Sequence, residues 1–219
     1  MNGKSTDPHA SERIRSLDIE KLPPDAQDVI RSLVRENDAL RQNLEAADLR
    51  AKQLRSEARE DPLTGLLNRR GVEDELNRAI DLVRRYGVII SVLFVDLDDF
   101  KAINDTFGHA VGDMALMHVA ALFADNVRRS DVIARLGGDE FALLLWHTDQ
   151  SLAHTKANSL SDLIANSPLR FDQESLNLGA SIGVTEILDS DTFSGTILAR
   201  ADEAMYAVKD ARSQAAGAI

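Results

Sequence analysis

Asp96, Asp98 and Asp99 set three carboxylates in four positions at the end of the apolar run Val88 to Val95. Carboxylates gathered at a strand end suit a hard divalent cation, which takes one or two protein oxygens and leaves room for water and substrate phosphates. A second acidic pair, Asp139-Glu140, follows Gly137-Gly138 directly and lies between two short apolar runs. That pattern puts the pair at the tip of a hairpin, where glycine permits positive φ and the close approach of a ligand. Taken singly, an acidic strand end is also a solvated turn, and Gly-Gly is also an ordinary chain reversal. Together they carry more: a hairpin beside the Asp96 strand would bring Asp96, Asp139 and Glu140 into one carboxylate set fit for metal-assisted phosphoryl chemistry.

The elements that must position these residues follow from periodicity and punctuation. The spacing predicts a helix over Arg69 to Tyr86, a central strand Val88 to Asp96 apolar on both faces, and a helix from about Gly112 to Val127. A hairpin of Val132 to Leu136 with Phe141 to Trp146 comes next, then a helix near Gln150 to Ala165, a strand near Leu176 to Thr185 and a last helix from Ser194 to about Ala211. This alternation reads as an α/β domain of the α+β kind, a mixed sheet flanked by helices.

Ahead of it, residues 1 to 21 read as a flexible polar tail, and Pro23-Pro24 opens a stretch with no further Gly or Pro before Pro62. A helix there would run about 50 Å. Within it Ile30, Leu33, Asn37, Leu40, Leu44, Ala47, Ala51, Leu54 and Ala58 alternate three and four apart, the seam of a coiled coil with Asn37 at one core position. A single amphipathic helix lying on its own domain is the competing reading. The expected domains are therefore a tail over 1–21, a dimerising helix over 22–60, a globular domain over 61–213 and a short flexible tail over 214–219. Too few residues precede the domain for a sizeable sensor, so the helix is the element expected to orient two copies.

With 36 acidic and 25 basic residues the net charge is −11, which weighs against a nonspecific nucleic-acid coat or an anionic membrane surface as the partner. A polyanionic ligand would need local cations or helix-start amides. The absence of cysteine removes disulfide and thiolate chemistry. With no apolar run of membrane-spanning length, the expectation is a cytoplasmic protein without membrane insertion.

The segments Asp61-Pro62-Leu63-Thr64-Gly65-Leu66-Leu67-Asn68-Arg69, Asp96-Leu97-Asp98-Asp99-Phe100-Lys101, Asn104-Asp105, Gly108-His109, Gly112-Asp113 and Arg135-Leu136-Gly137-Gly138-Asp139-Glu140-Phe141, in this order, resemble the GGDEF-domain diguanylate cyclases over about residues 61 to 213. The resemblance implies a fold like the palm of nucleotidyl cyclases and polymerases. It implies that two GTP condense into cyclic di-GMP with release of two pyrophosphates, in a homodimer joined through residues 22–60 and the catalytic domains.

By the same resemblance, Asp96, the Leu97 carbonyl and Asp139 hold Mg²⁺, or Mn²⁺ in its place. Glu140 stands beside the metal as a ligand or as the base for the GTP 3′-hydroxyl. Asn104 and Asp113 recognise guanine, types that also serve a turn and a helix start, and His109 joins the nucleotide pocket or is a loop residue. Lys101 and Lys209 serve the phosphates. Arg128 and Asp131 match an inhibitory product site, or form a surface ion pair at a helix end.

The chain departs from the family in its last helix. Where the family has Lys, two residues and then Gly-Arg-Asn, this chain reads Lys209-Asp210-Ala211-Arg212-Ser213-Gln214. Arg212 comes one position early, about 100° around the helix, so no phosphate role carries to it. Two rivals accompany the enzyme reading: a noncatalytic receptor for GTP or cyclic di-GMP, and a coiled-coil assembly protein.

Overall fold

The computed structural model describes residues 22–57 and 59–216. The expected tail 1–21 lies outside the described residues, as do Ala58 and the side chains of Ala51 and Leu54 in the expected seam. The chain divides between Arg55 and Ser56 into two units.

The first unit is helical. Helix α1, Pro24–Glu57, starts on the second of two prolines, whose missing N–H costs nothing in a first turn. Leu33, Leu40 and Leu44 are 59%, 60% and 68% exposed, and Asn37 is exposed beside them, so these seam residues are not covered by their own unit.

The second unit runs α2 (Arg69–Tyr86), β1 (Ile90–Leu97), α3 (Phe100–Phe107), α4 (His109–Asn126), β2 (Val132–Gly137), β3 (Glu140–Trp146), α5 (Gln150–Ala165), β4 (Leu169–Phe171), β5 (Glu174–Leu176), β6 (Ala180–Glu186) and α6 (Ser194–Ala216). The main sheet has the order β2-β3-β1-β6 with antiparallel ladders throughout. The mixed strand directions expected from sequence reduce to one isolated parallel bridge, Leu67 to Ala134. A two-residue turn between β2 and β3 leaves them no other arrangement than antiparallel.

β1 sits between β3 and β6, and its alternate residues feed two cores. Leu93, Val95 and Leu97 meet Leu116, Val119 and Phe123 of α4 and Leu160 of α5. Val92 and Phe94 meet Leu76 and Ile80 of α2 and Ile197 and Ala201 of α6. Each such fully buried side chain contributes about 1.5–3 kcal/mol. An apolar run on both faces is thus the signature of a central strand with helices in both layers.

α2 and α5 have the bounds expected from periodicity. α2 is capped at both ends: Asn68 Oδ1 accepts from the Gly71 amide at 2.9 Å, and Gly87 turns left-handed at φ 63°. Three elements were not expected, α3 and the strands β4 and β5, while α4 starts three residues earlier and α6 ends five residues later than expected, and β6 starts at Ala180 and not near Leu176.

Candidate active site

The antiparallel register places Asp96 opposite Glu140 on one side and Ser181 on the other. Directly opposed residues share a face of the sheet, so the carboxylates of the central strand and of the hairpin stand together. The Leu97 amide donates to the Asp139 carbonyl at 3.3 Å, which holds the hairpin tip against the end of β1. The register thus sets Asp96 beside Glu140, with Asp139 next to it at the tip of the same hairpin.

Their electrostatics are those of crowded acids. Burial first, and then the neighbouring Asp96 charge, raises the Asp139 carboxyl above the ordinary carboxylate range, against its own backbone hydrogen bond, Lys209 and Arg135. Glu140 is raised as well, by burial first and then by Asp202, Asp139 and Asp96, while Arg69 pulls the other way. The Arg69 guanidinium lies 3.4 Å from Glu140. Lys209 reaches from α6 to pair with Asp96, and its pKa rises mainly through that hydrogen bond.

Among the described residues no three His, Cys, Asp or Glu side chains gather into a metal cage. Mg²⁺ does not require one. Two carboxylates and a carbonyl leave the positions that water and phosphates fill, so Asp96, Asp139 and the Leu97 carbonyl are a donor set of the right hardness and number.

The turn after β1 carries the rest. Asp99 is left-handed at φ 56°, an uncommon state that Asp tolerates, and α3 starts at the next residue. Phe100 and Ile103 anchor α3 in the core, which leaves Lys101 exposed on its first turn. Asn104 packs on Gly112: a Cβ at that glycine would lie 2.0 Å from Asn104 Oδ1. Asn104 is thereby held one residue from the exposed Asp113, and exposed His109 opens α4 on the same turn of chain. The Gly108 amide closes the α3–α4 corner on the Asn104 carbonyl at 2.9 Å.

Arg128 and Asp131 lie elsewhere. The Asp131 oxygens accept from the amides of Arg128, at 2.9 Å, and Trp146, at 3.2 Å. Asp131 thus engages backbone rather than the Arg128 guanidinium. Both residues line a cavity of ≈ 620 Å³ together with Asp125, His147, Thr155 and Lys156.

Three contacts of this site were not legible in sequence. Arg135 Nη1 donates to both oxygens of Asp61, and its Nε and Nη2 donate to the Gly138 carbonyl. Arg69 reaches Glu140 across 71 positions of chain. Asp98, counted among the acidic strand-end residues, accepts instead from Ser181 Oγ at 2.7 Å. Arg212 donates to the Ala180 carbonyl and to Ser161 Oγ.

Residues 58–215 match the family described as diguanylate cyclase, GGDEF domain. The chain is 41% identical over 150 residues to the bifunctional diguanylate cyclase/cyclic di-GMP phosphodiesterase MucR of Pseudomonas aeruginosa, covering 68% of this chain and 22% of MucR. It is 37% identical over 151 residues to the response regulator PleD of Caulobacter vibrioides, covering 68% of this chain and 33% of PleD. The chain thus spans a third or less of the length of these relatives. Among solved structures, the coiled coil and GGDEF domain of DgcB from Caulobacter crescentus, in complex with c-di-GMP, superposes with a TM-score of 0.75 at 28% identity, covering 82% of this chain and 95% of that one. Diguanylate cyclase SiaD of Pseudomonas aeruginosa, in complex with its activator SiaC, superposes with a TM-score of 0.68 at 31% identity, covering 91% of this chain and 75% of that one. The family match takes in every element from the turn at Asp61 to the last helix, including the hairpin that sets Glu140 against Asp96, and the chain belongs to the GGDEF-domain diguanylate cyclase family.

Proposed function

We propose that this chain is a diguanylate cyclase in which two copies, each holding one GTP, form cyclic di-GMP and release two pyrophosphates. The observation that carries this reading is the cross-strand pair Asp96–Glu140 with Asp139 at the same hairpin tip. Asp96, Asp139 and the Leu97 carbonyl would hold Mg²⁺, or Mn²⁺ in its place, which when bound neutralises charge on the triphosphate.

The chain's own groups do the remaining work. Glu140, raised by burial, accepts the proton of the 3′-hydroxyl as that oxygen bonds to the α-phosphorus of the facing GTP and the bond to pyrophosphate breaks. Arg69 orients Glu140 from the start of α2. Asp113 accepts from N1 and N2 of guanine and Asn104 donates to its O6, with His109 alongside. Lys101, Lys209 and the amides that open α3 hold the phosphates. Catalysis is then positioning and charge stabilisation, with no covalent intermediate on the protein.

Each copy supplies half of the reaction centre, so pairing is part of the mechanism. The seam of α1 joins two copies and raises the effective concentration of one half-site for the other, to about the mM range. The Arg128–Asp131 cavity takes the product as a brake, with Arg128 on a phosphate or guanine face. That DgcB, whose matched region also joins a coiled coil to this domain, was crystallised with c-di-GMP supports both assignments.

Purified protein incubated with Mg²⁺ and GTP is expected to yield cyclic di-GMP, identified by mass spectrometry, and Glu140→Gln is expected to yield none. A dimeric sample that binds GTP but makes no product would sink the enzyme reading in favour of a receptor.

A further inference from the structure

We propose that Arg212, Asp98 and Ser181 form a bracket that positions the turn bearing Asp96 and the Leu97 carbonyl, with Arg212 acting through Asp98 and not on a phosphate. The inference rests on the nucleotide-site reading above and concerns residues to which that reading gives no role.

Asp98 is held by three contacts, with its side chain 29% exposed. Its Oδ1 accepts from Ser181 Oγ at 2.7 Å, its Oδ2 lies 3.5 Å from Arg212 Nη1, and its amide donates to the Gly179 carbonyl at 2.9 Å. Ser181 is fully buried. Gly179 lets the carboxylate lie flat on the backbone, because a Cβ there would come within 2.8 Å of Asp98 Oδ2. A carboxylate so engaged is an anchor for the turn, which explains why only some of the clustered acids belong to the metal set.

Arg212 closes the bracket from outside. β6 is the edge strand of the sheet, with α6 on one face and α5 on the other. From α6 the guanidinium reaches the Ala180 carbonyl at 2.7 Å and Ser161 Oγ of α5 at 2.9 Å, while Ser161 itself donates to Ala180 at 3.0 Å. One side chain therefore joins both helical layers, caps a carbonyl of the edge and faces Asp98. Only a planar fork with several donors does this, and an ammonium cannot replace it. The one-residue displacement of Arg212 along α6 is what turns it toward this edge.

The mechanical consequence is short in sequence. Asp98 is the first residue after β1, Asp99 is left-handed, and α3 starts at Phe100. Freeing Asp98 lets the Leu97 carbonyl and Asp96 rotate away from the hairpin tip.

The test uses the full chain and a non-cyclisable fluorescent GTP analogue, so that binding is read without turnover. Half-saturating Mn²⁺ for analogue binding, and analogue affinity without metal, are measured for wild type, Arg212→Ala, Arg212→Lys, Ser181→Ala, Asp98→Asn and the Asp98→Asn/Arg212→Ala pair. Arg212→Ala and Asp98→Asn are each expected to raise half-saturating Mn²⁺ about fivefold, with the double variant no worse than the larger single change. Metal-free affinity stays within about twofold of wild type, Arg212→Lys does not restore the metal response, and Ser181→Ala shifts it in the same direction. A loss of metal-free affinity in Arg212→Ala, or multiplying effects in the double variant, would overturn the bracket in favour of a direct phosphate contact. Amide exchange gives a readout independent of nucleotide: the Asp98 amide is expected to exchange about tenfold faster in Arg212→Ala, and an unchanged rate refutes the proposal. If wild type makes no cyclic di-GMP, the function reading falls while the exchange result still decides the bracket.

Discussion

Arg135 binds Asp61 with one nitrogen, 3.1 and 3.2 Å from its two oxygens, and holds the Gly138 carbonyl with the other two, at 3.0 and 2.7 Å. The turn that enters the domain and the tip of the β2–β3 hairpin are thus joined through a single guanidinium. Asp61 also accepts from the Thr64 amide and hydroxyl, at 2.9 and 2.7 Å.

Arg135→Ala should therefore lower stability and disturb the hairpin together. Removing one partner of a largely buried pair costs about 3 kcal/mol, and at about 2–4 °C per kcal/mol the melting temperature falls by roughly 6–12 °C. Burial pushes the Asp61 carboxyl up, but the Thr64 hydrogen bonds and Arg135 outweigh it and hold it below the ordinary carboxylate value. An acid lowered on folding stabilises above its unfolded pKa and loses that stability as pH falls through the folded one. Melts from about pH 2 to pH 7 should show a shallower acid limb in Arg135→Ala than in wild type, and identical limbs would refute the role given to Arg135.

The part of this site that was legible in sequence is the part made of local signals. Gly137-Gly138 marks a reversal by chemistry confined to two residues, and the apolar run before Asp96 marks a central strand. Arg135 and Asp61 stand 74 residues apart, and nothing local to either names the other. α3 was missed because eight residues opened by a left-handed Asp give too few turns for a periodicity to register. The β4–β5 strands are three residues each, below any strand period. Arg212 was legible only as a departure; its partners come from α5, β6 and the turn after β1.

Asp139 predicts a conflict between stability and activity. Asp139 and Glu140 have folded pKa values raised above their ordinary ones. Acids raised on folding contribute stability at low pH and lose it as pH rises through the folded value, so without metal they weigh against the fold at neutral pH. Asp139→Asn should raise the metal-free melting temperature by roughly 1–3 °C, a small gain because the group is partly solvated. The same change should cost at least about 100-fold in activity. Adding Mg²⁺ with a GTP analogue should raise the melting temperature of wild type and leave Asp139→Asn nearly unmoved. Equal stabilisation of the two proteins by metal would remove Asp139 from the donor set.

Leu40 and Leu44 present 60% and 68% of their surface on α1. In a paired seam each would bury about 1.5–3 kcal/mol per chain, so Leu40→Lys with Leu44→Lys should weaken dimerisation at least about 100-fold. Sedimentation velocity gives the dissociation constant directly. Activity per chain in the variant should rise in proportion to protein concentration, because two half-sites must then meet by diffusion. A concentration-independent specific activity equal to wild type would return α1 to the role of a lone amphipathic helix.

Arg128 and Asp131 should separate under mutation, although the inhibitory-site reading treats them as a pair. Arg128 is exposed and lines the cavity, so Arg128→Ala should relieve product inhibition about 10-fold or more with little change in melting temperature. Asp131 has a second task, since its carboxylate takes the amides of Arg128 and Trp146 and so ties the end of β3 to the turn before β2. Asp131→Ala leaves both amides without that acceptor and should cost about 1.5–3 kcal/mol in addition to relieving inhibition. Initial rates with added cyclic di-GMP, paired with thermal melts, distinguish the two variants. If Asp131→Ala melts like wild type, its hydrogen bonds carry no stability. If neither variant shifts the inhibition curve, the cavity is not the product site, and the geometry around Asp131 is a turn anchor alone: Oδ1 and Oδ2 would then serve only the chain reversal that delivers β2 to β3.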